Sequence, residues 1–443
     1  MSKNKRRNIH YSMRTRLIHG DSKQALPDYN HHIVPPISAS AAYQLDSVHR
    51  GAQGFAEYAS DDYEGKNPIY IYERLDEPTR SLLEQNLACA EGAHMAVCFA
   101  TGMAAISAAI GVTTKIGDEI LSHHTLYGCT YSLFSHWLPR QGISTKFIDL
   151  RDLTDFENEI SERTRLIYLE SPVNPTLDLI DMRDLRRRVD RLNLKRAPDR
   201  KLLIAVDNTF ATPYCQRPLS LGADLVVHSL TKNIGGFGTD MGGAVIGGHE
   251  FHEALLMYRK DFGAALSPKS AWQFLVCGLP TLAARMSNQQ KTAMKVAQFL
   301  EHHPAVSRVV YPGLPSFPQF DLAKQQMTSY DGRFAPGSMI YFVLKGDTKT
   351  ANAAAENCMD YIAKEASSIT LAVSLGQIRT LVESPFCMTH AALPEELKLA
   401  KGLVPGGIRM SVGLEDWHDL IADLDAAFEH IHTCSGNLAN TCK

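Results

Sequence analysis

The sequence predicts an α/β protein, with a mostly parallel central sheet covered on both faces and a smaller α+β domain following it. Three observations predict this. Short apolar runs alternate with helix-length spacers between residues 95 and 227, the pattern of parallel strands joined by crossover helices. Beyond about residue 285, strand-like and helical segments are mixed without that alternation. The length of 443 residues leaves room for two or three domains at roughly 100–200 residues each.

Residues 1–75 show no long periodic element and are rich in Pro, Gly, Tyr and His, as in His31-His32-Ile33-Val34-Pro35-Pro36. So long a segment with little core pattern needs something to lie on, either the rest of the chain or a second subunit. It is expected to form an arm, followed by a large domain over 76–284 and a small domain over 285–443. Its first 16 residues are basic and lack the apolar stretch of a secretory signal, so a solvated start is expected. Residues 79–88 read as a helix carrying Leu82, Leu83 and Leu87. The apolar runs 95–99, 119–122, 146–148, 166–169, 202–206 and 225–227 read as strands, and 103–110 as an apolar stretch within the same alternation. Residues 182–194 read as a helix with Leu185, Val189 and Leu192 on one side. Its arginines (183, 186, 187, 188 and 191) mark a solvated face. In the C-terminal part a helix at 292–301 precedes strands at 306–310, 339–344, 368–373 and 408–412. A helix at 420–431 closes the fold, and a polar tail from Ser435 is expected to fray.

Composition excludes several classes. Lys+Arg is 45 and Asp+Glu 48, a net charge of −3, which is no field for a general nucleic-acid binder. The richest apolar stretch, 103–112, is too short to span a membrane. The nine cysteines are scattered without a Cys-x-x-Cys pair, which points to a reducing, cytoplasmic compartment. Adjacent histidines such as His123-His124 would point to opposite faces of a strand. No carboxylate or Cys sits at ligand spacing beside them, so no metal is expected.

Three segments carry chemistry. Asp207 follows the run 202–206, and ligands bind at the carboxyl ends of strands in open α/β sheets. An acid there is either a turn residue or a group aimed at a ligand. Lys232 stands between Ser229, Thr231 and a glycine-rich run, just after 225–227. It is either a surface lysine in a turn or a desolvated amine of the kind that forms a Schiff base. Thr101-Gly102-Met103 opens an Ala-rich stretch, and a Gly at such a turn frees backbone N–H groups for an anion. Alone each is weak. Together they are what pyridoxal phosphate needs: a lysine for the aldehyde, an acid for the pyridine nitrogen and a helix end for the phosphate.

On these residues the chain resembles the Cys/Met-metabolism family of fold type I pyridoxal-phosphate enzymes, over about 16–431. The resemblance is carried by the segment 228–236, by Tyr168-Leu169-Glu170-Ser171-Pro172-x-Asn174-Pro175-Thr176, and by Ser411-Val412-Gly413-x-Glu415-Asp416. It implies an aspartate-aminotransferase-like fold and pyridoxal 5′-phosphate as cofactor. Lys232 would be the Schiff-base lysine and proton shuttle, and Asp207 the partner of the pyridinium nitrogen. Tyr127 would stack on the ring and assist proton transfer. Gly102, Met103, Ser229 and Thr231 would hold the phosphate. Tyr72 and Arg74 would reach it from a neighbouring subunit, making a dimer the minimal active unit and a homotetramer the expected assembly. Arg409 would clamp the substrate α-carboxylate, with Asn174 and Ser374 nearby. Three departures stand out: Glu77 replaces the usual Asn, Asn233 the usual aromatic residue, and Phe386-Cys387 the usual Pro-Ala before Met388-Thr389-His390.

The implied activity is γ-elimination or γ-replacement on a sulfur amino acid. Relatives that handle cystathionine commonly carry Glu before Ser-Leu-Gly, where this chain has Val373. An apolar residue cannot pair with a distal ammonium, so an uncharged tail such as that of methionine is expected. Cys129 resembles methionine γ-lyases, although it also reads as a small pocket-filling residue. Gly238-Thr239-x-x-Gly242-Gly243 and Arg379 resemble the acylhomoserine sulfhydrylases, which stay open beside cystathionine synthases and lyases.

Overall fold

The computed structural model describes residues 11–20, 32–58, 68–388, 395–400 and 402–440. His31, Thr389 and His390 lie outside the described residues, as do the first ten residues of the basic start.

A seven-stranded sheet forms the centre. Its strands are β1 (Met95–Phe99), β2 (Glu119–His123), β3 (Ser144–Ile148), β4 (Thr164–Glu170), β5 (Leu203–Asp207), β6 (Leu225–Ser229) and β7 (Gly243–Gly247), in the order β1-β7-β6-β5-β4-β2-β3. All neighbours are parallel except β7, which runs antiparallel to β1 and β6. Sequence reading missed β7, because two glycines flank only three apolar residues. Gly243 must be glycine, since a Cβ there would lie 2.2 Å from the Thr101 carbonyl oxygen.

Side chains alternate between two cores. Met95, Val97 and Phe99 of β1 and Val227 of β6 pack with the helix Gly102–Thr113. Ala96, Cys98 and Val226 face the helices Pro78–Glu91 and Leu279–His302 instead. At the other end of the sheet, Leu185 and Val189 of the helix Met182–Asn193 cover Ile204 and Val206. The arginines of that helix meet acids: Arg186 pairs with Asp190 and Asp224, Arg187 with Asp184, and Arg188 with Asp184 and Glu157.

A second sheet contains β8 (Val306–Val310), β9 (Met339–Leu344), β10 (Ile369–Leu371), β11 (Thr380–Glu383) and β12 (Gly407–Ser411), in the order β10-β11-β12-β9-β8. Strand β11 was also missed. In β9, Met339, Tyr341 and Val343 join the core of the large sheet, while Ile340, Phe342 and Leu344 join a core with the helices Thr348–Glu365 and Trp417–Asn440. The boundary expected at 284/285 falls inside the continuous helix Leu279–His302. Leu282 and Met286 of this helix pack with the large sheet, and Val296 and Leu300 with the small one.

Residues 1–75 hold two short helices, Met13–His19 and Val48–Glu57, and Leu17 of the first is buried in the core of the same chain, one of the two supports expected for this segment. Two local expectations change. The closing helix runs to Asn440, through most of the tail expected to fray. His123 and His124 do not point apart. His123 is the last residue of β2 and His124 lies beyond it, so their rings sit 4.4 Å apart beside Asp149. Asp149 is engaged by Arg151, and His123 Nδ1 accepts the Leu150 N–H at 3.1 Å.

Candidate active site

The candidate residues gather at the carboxyl ends of β4, β5 and β6 and at the facing edge of the small sheet. Asp207 closes β5 opposite Glu170, the last residue of β4. Its Oδ1 accepts the Thr209 N–H at 3.0 Å, and burial pushes its carboxyl above the usual carboxylate range. Burial and the adjacent Asp207 push Glu170 up as well, although Glu170 accepts the Tyr127 backbone N–H at 2.7 Å. Two enclosed carboxyls side by side cannot both ionise cheaply without a cation.

Lys232 lies three residues beyond the end of β6. Its loop is stitched from beneath by the buried guanidinium of Arg285, which donates to the carbonyls of Asn233 (2.7 Å), Ile234 (3.0 Å) and Gly278 (2.9 Å). Asn233, the departure beside the lysine, is fully buried and donates to the Phe210 carbonyl at 3.3 Å, tying this loop to the end of β5. Lys232 Nζ donates to Ser374 Oγ at 2.8 Å. Burial, then the Arg409 charge, lower its pKa, with Glu383 opposing them. A depressed pKa gives a lysine the neutral amine that a nucleophile or base requires.

Ser374 has φ +114, a conformation that L residues rarely adopt. It presents its hydroxyl to Lys232 and its carbonyl to Arg409 Nη2 at 2.8 Å. Arg409 Nη1 reaches Asn174 Oδ1 at 3.0 Å and Glu383 Oε1 at 3.1 Å. Tyr127 is half-exposed above this group, and burial of its ring pushes the phenol up to about 12. Exposed Cys129 faces the Tyr127 hydroxyl, and Val373 is 59% exposed.

Gly102 opens the helix Gly102–Thr113, which Thr101 caps by accepting the Ala104 N–H at 3.1 Å. A Cβ on Gly102 would meet Ser229 Cβ at 2.9 Å, so this N-terminus and the Ser229 hydroxyl are held together. Met103 is the second residue of the helix, where a backbone N–H has no intrahelical acceptor. Thr231 Oγ1 accepts the Gly242 N–H at 3.1 Å and lines a cleft of about 540 Å³ with Ala100, Gly238, Asp240, Ser374 and Gln377. Tyr72 and Arg74 stand apart from this group. The Arg74 guanidinium lies 5.6 Å from the Tyr72 ring and donates to the Lys260 carbonyl.

The residues fit pyridoxal phosphate. The enclosed Asp207 carboxyl needs a cation, which a pyridinium N–H supplies. The lysine is desolvated, and a helix N-terminus with hydroxyls beside it offers donors to a phosphate. Sequence reading assigned no role to Glu170, Arg285 or Glu383. Glu383 carried the same signal as Asp207, an acid closing an apolar run, but β11 had gone unseen.

Fold and site define a pyridoxal-phosphate-dependent enzyme of the aspartate-aminotransferase-like α/β class. Residues 14–429 match the family described as Cys/Met metabolism PLP-dependent enzyme. The chain belongs to that family, and pyridoxal 5′-phosphate is its cofactor. It is 38% identical over 398 residues to an L-methionine gamma-lyase of Fusobacterium nucleatum, covering 89% of this chain and 93% of that one. It is 37% identical over 361 residues to a cystathionine gamma-lyase of Dictyostelium discoideum, covering 81% and 87%. A crystal structure of cystathionine gamma-lyase from Lactobacillus plantarum, complexed with L-serine, superposes with a TM-score of 0.81 at 32% identity. That match covers 95% of this chain and 100% of the other.

Proposed function

We propose that this chain is a carbon–sulfur lyase that converts L-methionine and water into methanethiol, 2-oxobutyrate and ammonia. The observation that carries the choice of substrate is Val373, an uncharged side chain beside Ser374, where a distal ammonium would find no counter-charge. The relatives named L-methionine gamma-lyase, at 37–38% identity, support it.

Bound cofactor supplies an aldehyde for the substrate amino group and a ring that accepts the electrons released at Cα. Asp207 keeps the proton on the pyridine nitrogen. Arg409, held by Asn174 and Ser374, receives the α-carboxylate and fixes which Cα bond lies across the ring. Lys232, whose amine burial biases toward the uncharged form, takes the Cα proton, the first of the two that γ-elimination removes. Tyr127 remains a protonated phenol at neutral pH and donates to the departing sulfur. Gly102, Met103, Ser229 and Thr231 hold the phosphate.

Tyr72 and Arg74 complete the phosphate pocket of a neighbouring chain, so the active unit is a dimer and the assembly a tetramer. The apolar side chains that the arm leaves in solvent support this: Ile33 is 100% exposed, Val48 92% and Phe55 62%. The chain divides into this arm to about residue 75, a cofactor domain, and a C-terminal domain entered along the helix Leu279–His302. Among the described residues no helix is long and apolar enough to cross a membrane. Free cysteines at seven described positions support the cytoplasm as its compartment.

Incubation with methionine tests the reading: methanethiol and 2-oxobutyrate in equal amounts are expected. Failure to release either, together with homocysteine from an acylhomoserine and sulfide, overturns it in favour of a sulfhydrylase. Cleavage of cystathionine alone favours a cystathionine lyase, the reading supported by relatives from Dictyostelium discoideum and Lactococcus lactis, both 37% identical.

A further inference from the structure

We propose that Glu383 is a positioning residue. It holds Arg409 by Nη1, so that the substrate α-carboxylate docks on the Nε–Nη2 edge of the guanidinium. The inference rests on the reading above, in which Arg409 receives that carboxylate.

A guanidinium has five N–H donors in a rigid plane. Nη1 is engaged twice, donating to Asn174 Oδ1 at 3.0 Å and forming an ion pair with Glu383 Oε1 at 3.1 Å. One on Nη2 goes to the Ser374 carbonyl at 2.8 Å. Nε–H has no acceptor among the described residues and Nη2 keeps a second N–H, so the Nε–Nη2 edge is the one left to a ligand. A carboxylate accepts a parallel pair of hydrogen bonds from such an edge. An end-on approach would have to use Nη1, which Asn174 and Glu383 already engage.

The register of the small sheet builds this arrangement. Glu383 in β11 lies directly opposite Arg409 in β12. Both side chains are buried, at 1% and 6% exposure. A buried guanidinium without a counter-ion carries a large desolvation cost. Glu383 meets that cost in the free enzyme, its carboxyl raised by burial and pulled back first by Arg409. Its Oε2 is buried without a hydrogen-bond partner, so the carboxylate is anchored through Arg409 and is not shared with a distant structural contact.

The test is a set of Glu383 variants of the cofactor-loaded enzyme, assayed with methionine and with methioninamide, which lacks the carboxylate. Binding of norleucine, an amino acid without a leaving group, is read separately from the visible spectrum of the bound cofactor. Glu383→Ala should raise KM for methionine and Kd for norleucine about tenfold or more, as a buried guanidinium loses the counter-charge that holds it in place. The kcat for methionine and the KM for methioninamide should stay within about threefold. Glu383→Gln retains an acceptor for Nη1 and should restore methionine KM to within about threefold of the parent. If Glu383→Ala does not fold, Glu383→Asp carries the test, because a carboxylate one methylene shorter draws Nη1 out of place and should give the same split. An unchanged methionine KM in a folded variant overturns the proposal, and so does an equal rise for methionine and methioninamide. Should the parent enzyme not release methanethiol, the substrate reading fails. The norleucine titration still decides the role of Glu383, since it depends only on the α-carboxylate.

Discussion

Replacing Glu77 by Asn should make the protein more stable relative to the parent as the pH rises. Glu77 is fully buried and caps the helix Pro78–Glu91, accepting the Thr79 N–H at 2.7 Å and the Arg80 N–H at 2.5 Å. Those two bonds explain how an acid stands where relatives usually carry Asn: both are side-chain acceptors at a helix start. The difference is that the acid titrates. Burial pushes its carboxyl up to about 7 from the ordinary 4.5, against the pull of Arg80 and the two cap bonds. The folded pKa lies above the unfolded one. The contribution of Glu77 is therefore greatest below about pH 4.5 and is lost as the pH rises through about 7. The shift, 7 − 4.5 = 2.5 units, corresponds to about 3 kcal/mol. Asn caps without titrating, at a difference in cap strength of at most about 1 kcal/mol that does not vary with pH. For 443 residues, an unfolding entropy of about 2.1 cal/mol/K per residue converts this to about 3 °C. Scanning calorimetry of the loaded enzyme from about pH 5 to pH 8 should show the variant gaining that much on the parent. A difference that is flat with pH, or that falls, refutes the reasoning.

Lys232→Ala should abolish turnover and the visible absorbance that cofactor gains on joining the lysine; an unchanged spectrum would remove Lys232 from its role. Arg409→Lys keeps a charge but cannot serve Asn174, Ser374 and a carboxylate at once, so steady-state kinetics should show methionine KM rising roughly 30-fold or more. Mixing inactive Arg74→Ala and Lys232→Ala chains should recover part of the activity, and no recovery after confirmed subunit exchange would show that Arg74 serves its own chain. Glu84→Ala removes the nearer counter-charge of the buried Arg259 guanidinium, leaving only Asp76 at 4.0 Å among the described residues, and should lower stability by about 3 kcal/mol on chemical unfolding.

Much of this enzyme could be read in the chain because its central strands are short apolar runs, and each chemical group sits just past the end of one. Asp207 closes β5, and Lys232 and Gly102 follow β6 and β1, so local pattern alone placed them at the carboxyl ends of the strands. What failed was local as well. The apolar residues of β7 are only three, because Gly243 and Gly247 leave no room for side chains against Thr101 and Leu225. The four residues of β11 are too few to show a period.

The cofactor chemistry was thus determined by sequence alone: a lysine, an acid and a helix start, each a short-range signal. Tertiary structure alone decided the geometry of the proposed carboxylate clamp. Arg409, Asn174, Ser374 and Glu383 come from three distant parts of the chain, and only the register of β11 against β12 and the approach of the small sheet to Lys232 bring them into hydrogen-bond and ion-pair contact. Pairing across sheets depends on which faces are buried together. Here the helix Leu279–His302 and the two-faced strand β9 make that choice by joining both cores, a long-range packing outcome with no local sequence signal.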